Sequence, residues 1–177
     1  LCSPHNPVGR VWREEELRNL LDVCRRNGVY VIADEIHHDL IMPGQRQVTA
    51  AATGDYDSIL ITLTSASKTF NLASCQNAMA IIPNDALRAK YDAMTRKIKT
   101  QSGSSFGYVA YEAAFRGGKE WLEQLIQLVY GNYQILVKGL KQKLPEAVVS
   151  PLEGTYLAWV DLSAYLADRD TERTIRD

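Results

Sequence analysis

Ser65-Ala66-Ser67-Lys68-Thr69-Phe70-Asn71 follows directly on the apolar run Ile59-Leu60-Ile61-Thr62-Leu63-Thr64. A short run so rich in β-branched residues reads as a buried strand. Lys68 then stands just past the carboxyl end of that strand, where open α/β sheets bind ligands. A strongly hydrated ammonium resists burial, so lysine is a poor packing residue there. In a dry pocket it loses basicity and can form a Schiff base with an aldehyde. Ser65 and Ser67 add hydroxyls suited to a phosphate. Alone the motif is weak, because a strand-end lysine is ordinary.

A partner lies upstream. Val29-Tyr30-Val31-Ile32-Ala33 reads as a second buried strand, and it runs into Asp34-Glu35-Ile36-His37-His38-Asp39. Asp34 therefore leaves its strand at the same sheet edge as Lys68. An aspartate there can pair with a pyridinium nitrogen, the pairing that pyridoxal 5'-phosphate requires beside its lysine. Further upstream, Ser3-Pro4-His5-Asn6-Pro7-Val8-Gly9-Arg10 is a proline-bracketed turn whose asparagine side chain can hydrogen-bond a ligand.

With these three blocks in view, the chain resembles a fold-type I pyridoxal-phosphate enzyme of the class I/II aminotransferase superfamily. It is most similar to the MalY/PatB branch of C–S β-lyases, which includes cystathionine β-lyase and cystalysin. Pro-His-Asn-Pro-x-Gly-Arg-x-Trp, Asp-Glu-Ile-His-x-Asp-Leu and Ser-Lys-Thr-Phe-Asn-Leu-Ala carry the resemblance. It implies Lys68 as the lysine of the internal aldimine, and as the later proton carrier at the substrate α-carbon. It gives Asp34 to the pyridine nitrogen and Asn6 and His37 to the ring phenolic oxygen. Ser65 and Ser67 go to the phosphate, Ser65 preferred. His38 receives no role, since an adjacent histidine points elsewhere and a metal pair has no third ligand. Two positions depart from the pattern. Gln76 stands where the superfamily often has a phosphate-gripping arginine. Ser74 stands where the branch favours glycine, and a positive φ there would strain it.

The elements that must position these groups follow from periodicity. Leu17, Leu20, Leu21 and Cys24 mark a helix over about 13–27, with Glu14 to Glu16 in its first turn and Arg25 and Arg26 in its last. Gly28 stops it. Strand–helix–strand order predicts a parallel sheet, so the fold class is α/β. A polar connection spans 40–57, and Ala78–Ile82 reads as a further strand ended by Pro83. Asn84 is an N-cap candidate for a helix carrying Leu87, Tyr91, Met94 and Ile98. A small helix follows over about 106–115. Leu122, Leu125, Val129, Leu136, Leu140 and Leu144 then predict one helix of roughly 38 Å. Val148-Val149 and Tyr156–Val160 read as strands of a smaller domain. The expected division is 1–130, part of the large cofactor-binding domain, and 131–177, an interdomain helix with the start of a small α+β domain.

A hydrophobic share of 46% can supply a core, and a net charge of −1 gives no sign of a nucleic-acid or anionic-membrane partner. No stretch reaches the roughly 18 apolar residues of a membrane helix. Three cysteines without C-x-x-C spacing fit a reducing cytoplasm. The chain opens on Leu1 one step before a functional turn, so it reads as a piece of a longer protein. The resemblance further implies an amino-acid substrate and a homodimer with the loop Thr100–Ser105 facing its neighbour. It also implies a carboxylate-binding arginine that Arg169, Arg173 and Arg176 lie too early to supply. Two rival readings stand beside it. One is a non-catalytic binding or regulatory domain keeping the fold. The other takes Ser65-Ala66-Ser67-Lys68 as the S-x-x-K of a serine acylase, which needs the motif to open a helix.

Overall fold

Helix α1, Glu14–Arg26, rises from the turn that carries Asn6 and buries Leu17 and Leu21 completely. The structure, a computed structural model, describes residues 1–166, so Arg169, Arg173 and Arg176 lie outside the described residues. Glu14, Glu15 and Glu16 open α1 and Arg25 and Arg26 close it, each sign of charge at the helix end whose dipole favours it. Gly28 follows at φ +64°, where a side chain would be strained.

Strand β1, Val31–Asp34, pairs in parallel with β2, Leu60–Thr64, in a register that sets Asp34 opposite Leu63. On the other side of β1 the first residues add a parallel bridge between Cys2 and Asp34. β3, Met79–Ile81, joins β2 antiparallel. The sheet is therefore mostly parallel, as the strand–helix–strand order predicts. The connection over 40–57 is irregular apart from a 3-10 turn at Ala50–Ala52.

The expectation of a fully buried β1 needs correction. Val31 and Ala33 point into the core with Leu21, Ala50, Tyr56, Ile59 and Leu60, whereas Ile32 is 54% exposed and Tyr30 59%. Among the described residues α1 covers one face of the sheet, so the strand alternates as a half-covered strand does. Met79 and Ile81 are exposed as well.

Beyond the sheet come α2 (Asp85–Ile98), α3 (Ser105–Gly117) and the long α4 (Lys119–Lys143). The Asn84 side chain accepts from Leu87 N at 2.9 Å and caps α2. α4 is a single helix, as its leucine spacing predicts, and it runs without a break through residue 131. A two-stranded antiparallel ribbon follows, β4 (Val148–Val149) with β5 (Val160–Asp161), then the short α5 (Ser163–Leu166). Tyr156 to Trp159, expected in a strand, stay outside it because 151–155 are pinned elsewhere, as described below. No helix among the described residues is long and apolar enough to cross a membrane.

Leu21→Ala should cost about 2–5 kcal/mol, because it opens a cavity between α1 and β1. Urea unfolding should show a lower midpoint with an unchanged slope; an unchanged midpoint would show that α1 contributes little to the core.

Candidate active site

The register of β1 and β2 brings Asp34 and the Lys68 turn to one edge of the sheet. Lys68 lies five residues past Leu63, in a run of turns over 66–71 and not in a helix, so the structural requirement of the S-x-x-K reading is not met. It is half-buried and lines a pocket with Ser67, Thr69, Asn71, Trp121, Leu125 and Tyr156. The Asp34 carboxylate accepts from Ile36 N at 3.1 Å through one oxygen, which shapes the turn after β1 and leaves the second oxygen without that duty.

His37 is 2% exposed, and neither ring nitrogen has a partner. Its ring meets Tyr156 edge-on at 5.5 Å. Burial pushes the imidazole below its ordinary range, the Lys68 cation pushes the same way, and the Asp34 carboxylate opposes them. A buried polar group without a partner costs free energy. Enclosed at the sheet edge beside these two charges, both ring nitrogens are left with hydrogen-bonding capacity that no protein group uses.

Ser65 and Ser67 are arranged differently. Ser67 lines the pocket. Ser65 is 1% exposed; its hydroxyl donates to Asn77 O at 2.8 Å, accepts from Ser67 N at 3.0 Å, and touches the Tyr111 hydroxyl. Ser65 therefore stands one hydrogen bond behind the pocket wall. Ser74 does not take a positive φ; it sits in the 3-10 turn Ala73–Cys75, and the left-handed residues are Asn71 at +55° and Gln76 at +53°. The expected strain at Ser74 is absent because the backbone reverses two residues later.

Asn6 is exposed on its turn. His5 N donates to Arg10 O and Gly9 N to His5 O, both at 2.8 Å, with Gly9 at φ +82° where only glycine fits without strain. Arg10 grips both oxygens of Glu16 at 2.8 and 2.6 Å and lies 5.0 Å over Trp12, whose indole donates to Cys2 O at 2.9 Å. Those contacts tie the turn to the start of α1. The hydrogen bond from Arg10, and then that from Arg13 N, hold the Glu16 carboxyl below the usual range.

Sequence reasoning missed the residues that close the site from the far end of the chain. Glu153 N and Gly154 N donate to Gly9 O at 2.8 and 2.9 Å, and Val11 N donates to the Glu153 carboxylate at 2.8 Å. A Cβ on Gly154 would lie 2.9 Å from Pro4 Cβ, so the close approach requires glycine. Thr155 N donates to Leu40 O at 2.8 Å. Thr155 is fully buried at φ +68°, an unusual angle for a β-branched residue, and the next residue is Tyr156 against His37. The only sequence signal was Pro-Leu-Glu-Gly-Thr, which reads as a simple turn. Trp121 lies on α4 with its ring 5.5 Å from that of Phe70 and tilted 32° to it; its exposure beside Lys68 had no signal beyond helical spacing.

This sheet edge, with its lysine, aspartate and enclosed histidine, defines a class. The chain belongs to the aminotransferase class I and II family, whose sequence profile matches residues 1–176. Among curated proteins it is similar to cystathionine beta-lyase PatB of Bacillus subtilis (strain 168), 37% identical over 175 residues, covering 98% of this chain and 45% of that protein. It is 36% identical over 165 residues to protein MalY of Escherichia coli (strain K12), covering 92% and 41% respectively. The C-S lyase of Staphylococcus hominis, solved bound to PLP, superposes at a TM-score of 0.88 with 38% identity, covering 96% of this chain and 42% of that one. Cystalysin from Treponema denticola, solved with a pyridoxal 5'-phosphate cofactor, gives 0.89 and 34%, with coverage of 98% and 44%. The chain thus spans a little under half the length of the relatives it matches.

A histidine held below its ordinary range binds fewer protons folded than unfolded, so stability is lost as pH falls below the unfolded value near 6.5. His37→Leu should therefore reduce the stability lost between about pH 8 and about pH 5.5, read by urea unfolding. An equal loss in both proteins would show that His37 is not a buried neutral imidazole.

Proposed function

We propose that this chain supplies the cofactor-holding part of a pyridoxal-phosphate-dependent enzyme acting on amino acids. The activity is that of a carbon–sulfur β-lyase releasing pyruvate, ammonia and a thiol, or of an aminotransferase. One observation carries the reading: Lys68 and Asp34 stand at the same edge of two paired parallel strands, with an unpartnered buried imidazole facing both charges. The residues present fit the group. Lys68 is assigned to its aldehyde carbon, Asp34 to the ring nitrogen, and Asn6 and His37 to the ring oxygen. Ser67, with Ser65 behind it, is assigned to the phosphate.

Bound there, the cofactor supplies an electron sink for the carbanion left at a substrate α-carbon. The chain's own groups do the remaining work. The Asp34 carboxylate holds a proton on the ring nitrogen by charge. The Lys68 amine, when not bonded to the cofactor, would carry the proton at the substrate α-carbon. Tyr156, Trp121 and Leu125 supply the apolar lining beside the lysine. β-Elimination is favoured over transamination by the Asp34–Leu40 block and by the names of curated relatives such as cystathionine beta-lyase PatB. Aminotransferases in the same family keep the second reading open.

Residues 1–130 are assigned to the large domain, and 131–177 to the rest of α4 with the start of a small one. We assign the whole protein to the cytoplasm, in keeping with free thiols at Cys2, Cys24 and Cys75. It acts as a homodimer with the loop Thr100–Ser105 at the subunit interface, without nucleic acid or membrane partners.

Pyridoxal phosphate with borohydride, followed by peptide mapping, should label Lys68 and lose that label in Lys68→Ala. In the intact enzyme Asp34→Ala should cut turnover by at least about 100-fold while leaving the circular dichroism spectrum unchanged. A label falling instead on Lys90, Lys97 or Lys99 would overturn the assignment.

A further inference from the structure

The loop after β1 carries two groups that the proposed reaction leaves unused, His38 and Asp39. Both are about a quarter to a third exposed, with side chains at 31% and 26%. His38 Nδ1 lies 2.8 Å from Glu35 O and 3.0 Å from the Thr64 hydroxyl at the end of β2. Its other nitrogen, Nε2, lies 3.2 Å from Asp39 Oδ1. The second carboxylate oxygen, Oδ2, accepts a hydrogen bond from the Thr69 hydroxyl at 3.0 Å. Thr69 is fully buried and directly follows Lys68. An unbroken path of side chains thus runs from the end of β2, through the loop after β1, to the residue beside the lysine.

We propose that Asp39 is a positioning residue for Lys68: its carboxylate, steadied by His38, holds the Thr69 hydroxyl and so fixes the Lys68 turn against the Asp34 loop. This rests on the cofactor reading above. The physical reason lies in the kind of residue held. A β-branched threonine has little freedom at χ1, so anchoring its oxygen anchors its Cα and the peptide joining it to Lys68. A lysine side chain reaches its target through four flexible carbons, and a small rotation at its root moves the amine a long way. Hydrogen bonds to charged acceptors are the stronger kind, and this one spans two segments that the sheet has already brought together. Contacts on the other flank of Lys68 are local: Ser67 N to the Ser65 hydroxyl and Leu72 N to Ser67 O, at 3.0 and 2.9 Å. Asp39 supplies the tie to the Asp34 side.

The test uses this chain with pyridoxal 5'-phosphate as probe and borohydride to fix it, with Lys90 and Lys97 as internal references in each digest. Thr69→Val, which removes the hydroxyl and keeps the shape, should slow labelling of Lys68 about tenfold relative to those lysines. Thr69→Ser should restore it, Asp39→Ala should match Thr69→Val, and the double variant should be no slower than either single one. Full-rate labelling in Thr69→Val, a Thr69→Ser chain as impaired as Thr69→Val, or losses that add in the double variant would each overturn the proposal. If Lys68 of the unchanged chain is labelled no faster than the references, the cofactor assignment fails instead. Amide exchange then decides the clamp by itself. Thr69→Val should speed exchange over 65–72 about tenfold with β1 unaffected; unchanged exchange there would refute the clamp.

Discussion

Parallel pairing of β1 with β2 is the constraint on which the rest depends. Parallel strands cannot be joined by a tight turn, so the chain must cross over before returning. The price of that crossover is the irregular connection over 40–57, whose buried Ala50 and Tyr56 pack under the sheet. The gain is that both strands end at the same edge, with Asp34 opposite Leu63. A one-residue slip would turn Asp34 toward the core and Ala33 toward the pocket edge, because side chains alternate along a strand. Val31 and Ala33 in the core hold the register against that slip. Charge placement at this edge thus follows from apolar packing beneath it.

The parts legible in the sequence were those with a strong local signal. The α1 repeat of Leu17, Leu20, Leu21 and Cys24, the Asn84 cap and the leucine spacing of α4 each act within a few residues, so spacing alone locates them. Lys68, Asp34 and Asn6 stood out because their types are unsuited to packing at those points. What stayed hidden was non-local. Whether β1 is covered on one face or two depends on what else packs against it, and no pattern within Val29–Ala33 records that. The path through His38, Asp39 and Thr69 joins residues 30 positions apart. His38, judged alone as half of an incomplete metal pair, gave no hint of it.

The same limit explains Ser65 and Ser67. Their spacing from Lys68 made both of them phosphate candidates, and the resemblance preferred Ser65. The structure gives Ser65 three polar neighbours of its own, among them Asn77 and Tyr111, far away in sequence. Which hydroxyl is free is decided by those distant groups. Burial of His37 has the same origin: its neighbour Tyr156 comes from a segment that enters the site from the opposite end of the chain.

The stitch between Val11 and Glu153 spans 142 residues, and that span gives the site a history as well as a shape. Strands β1 and β2 lie close in sequence, so the lysine edge can assemble soon after residue 68 leaves the ribosome. The asparagine turn waits for Glu153, Gly154 and Thr155. At ordinary rates of synthesis the two events are separated by something on the order of ten seconds. Loop closure over such a distance is entropically expensive and comes late in folding as well as in synthesis. The nascent chain can therefore pair β1 with β2 well before the segment that stitches the asparagine turn in place has been made.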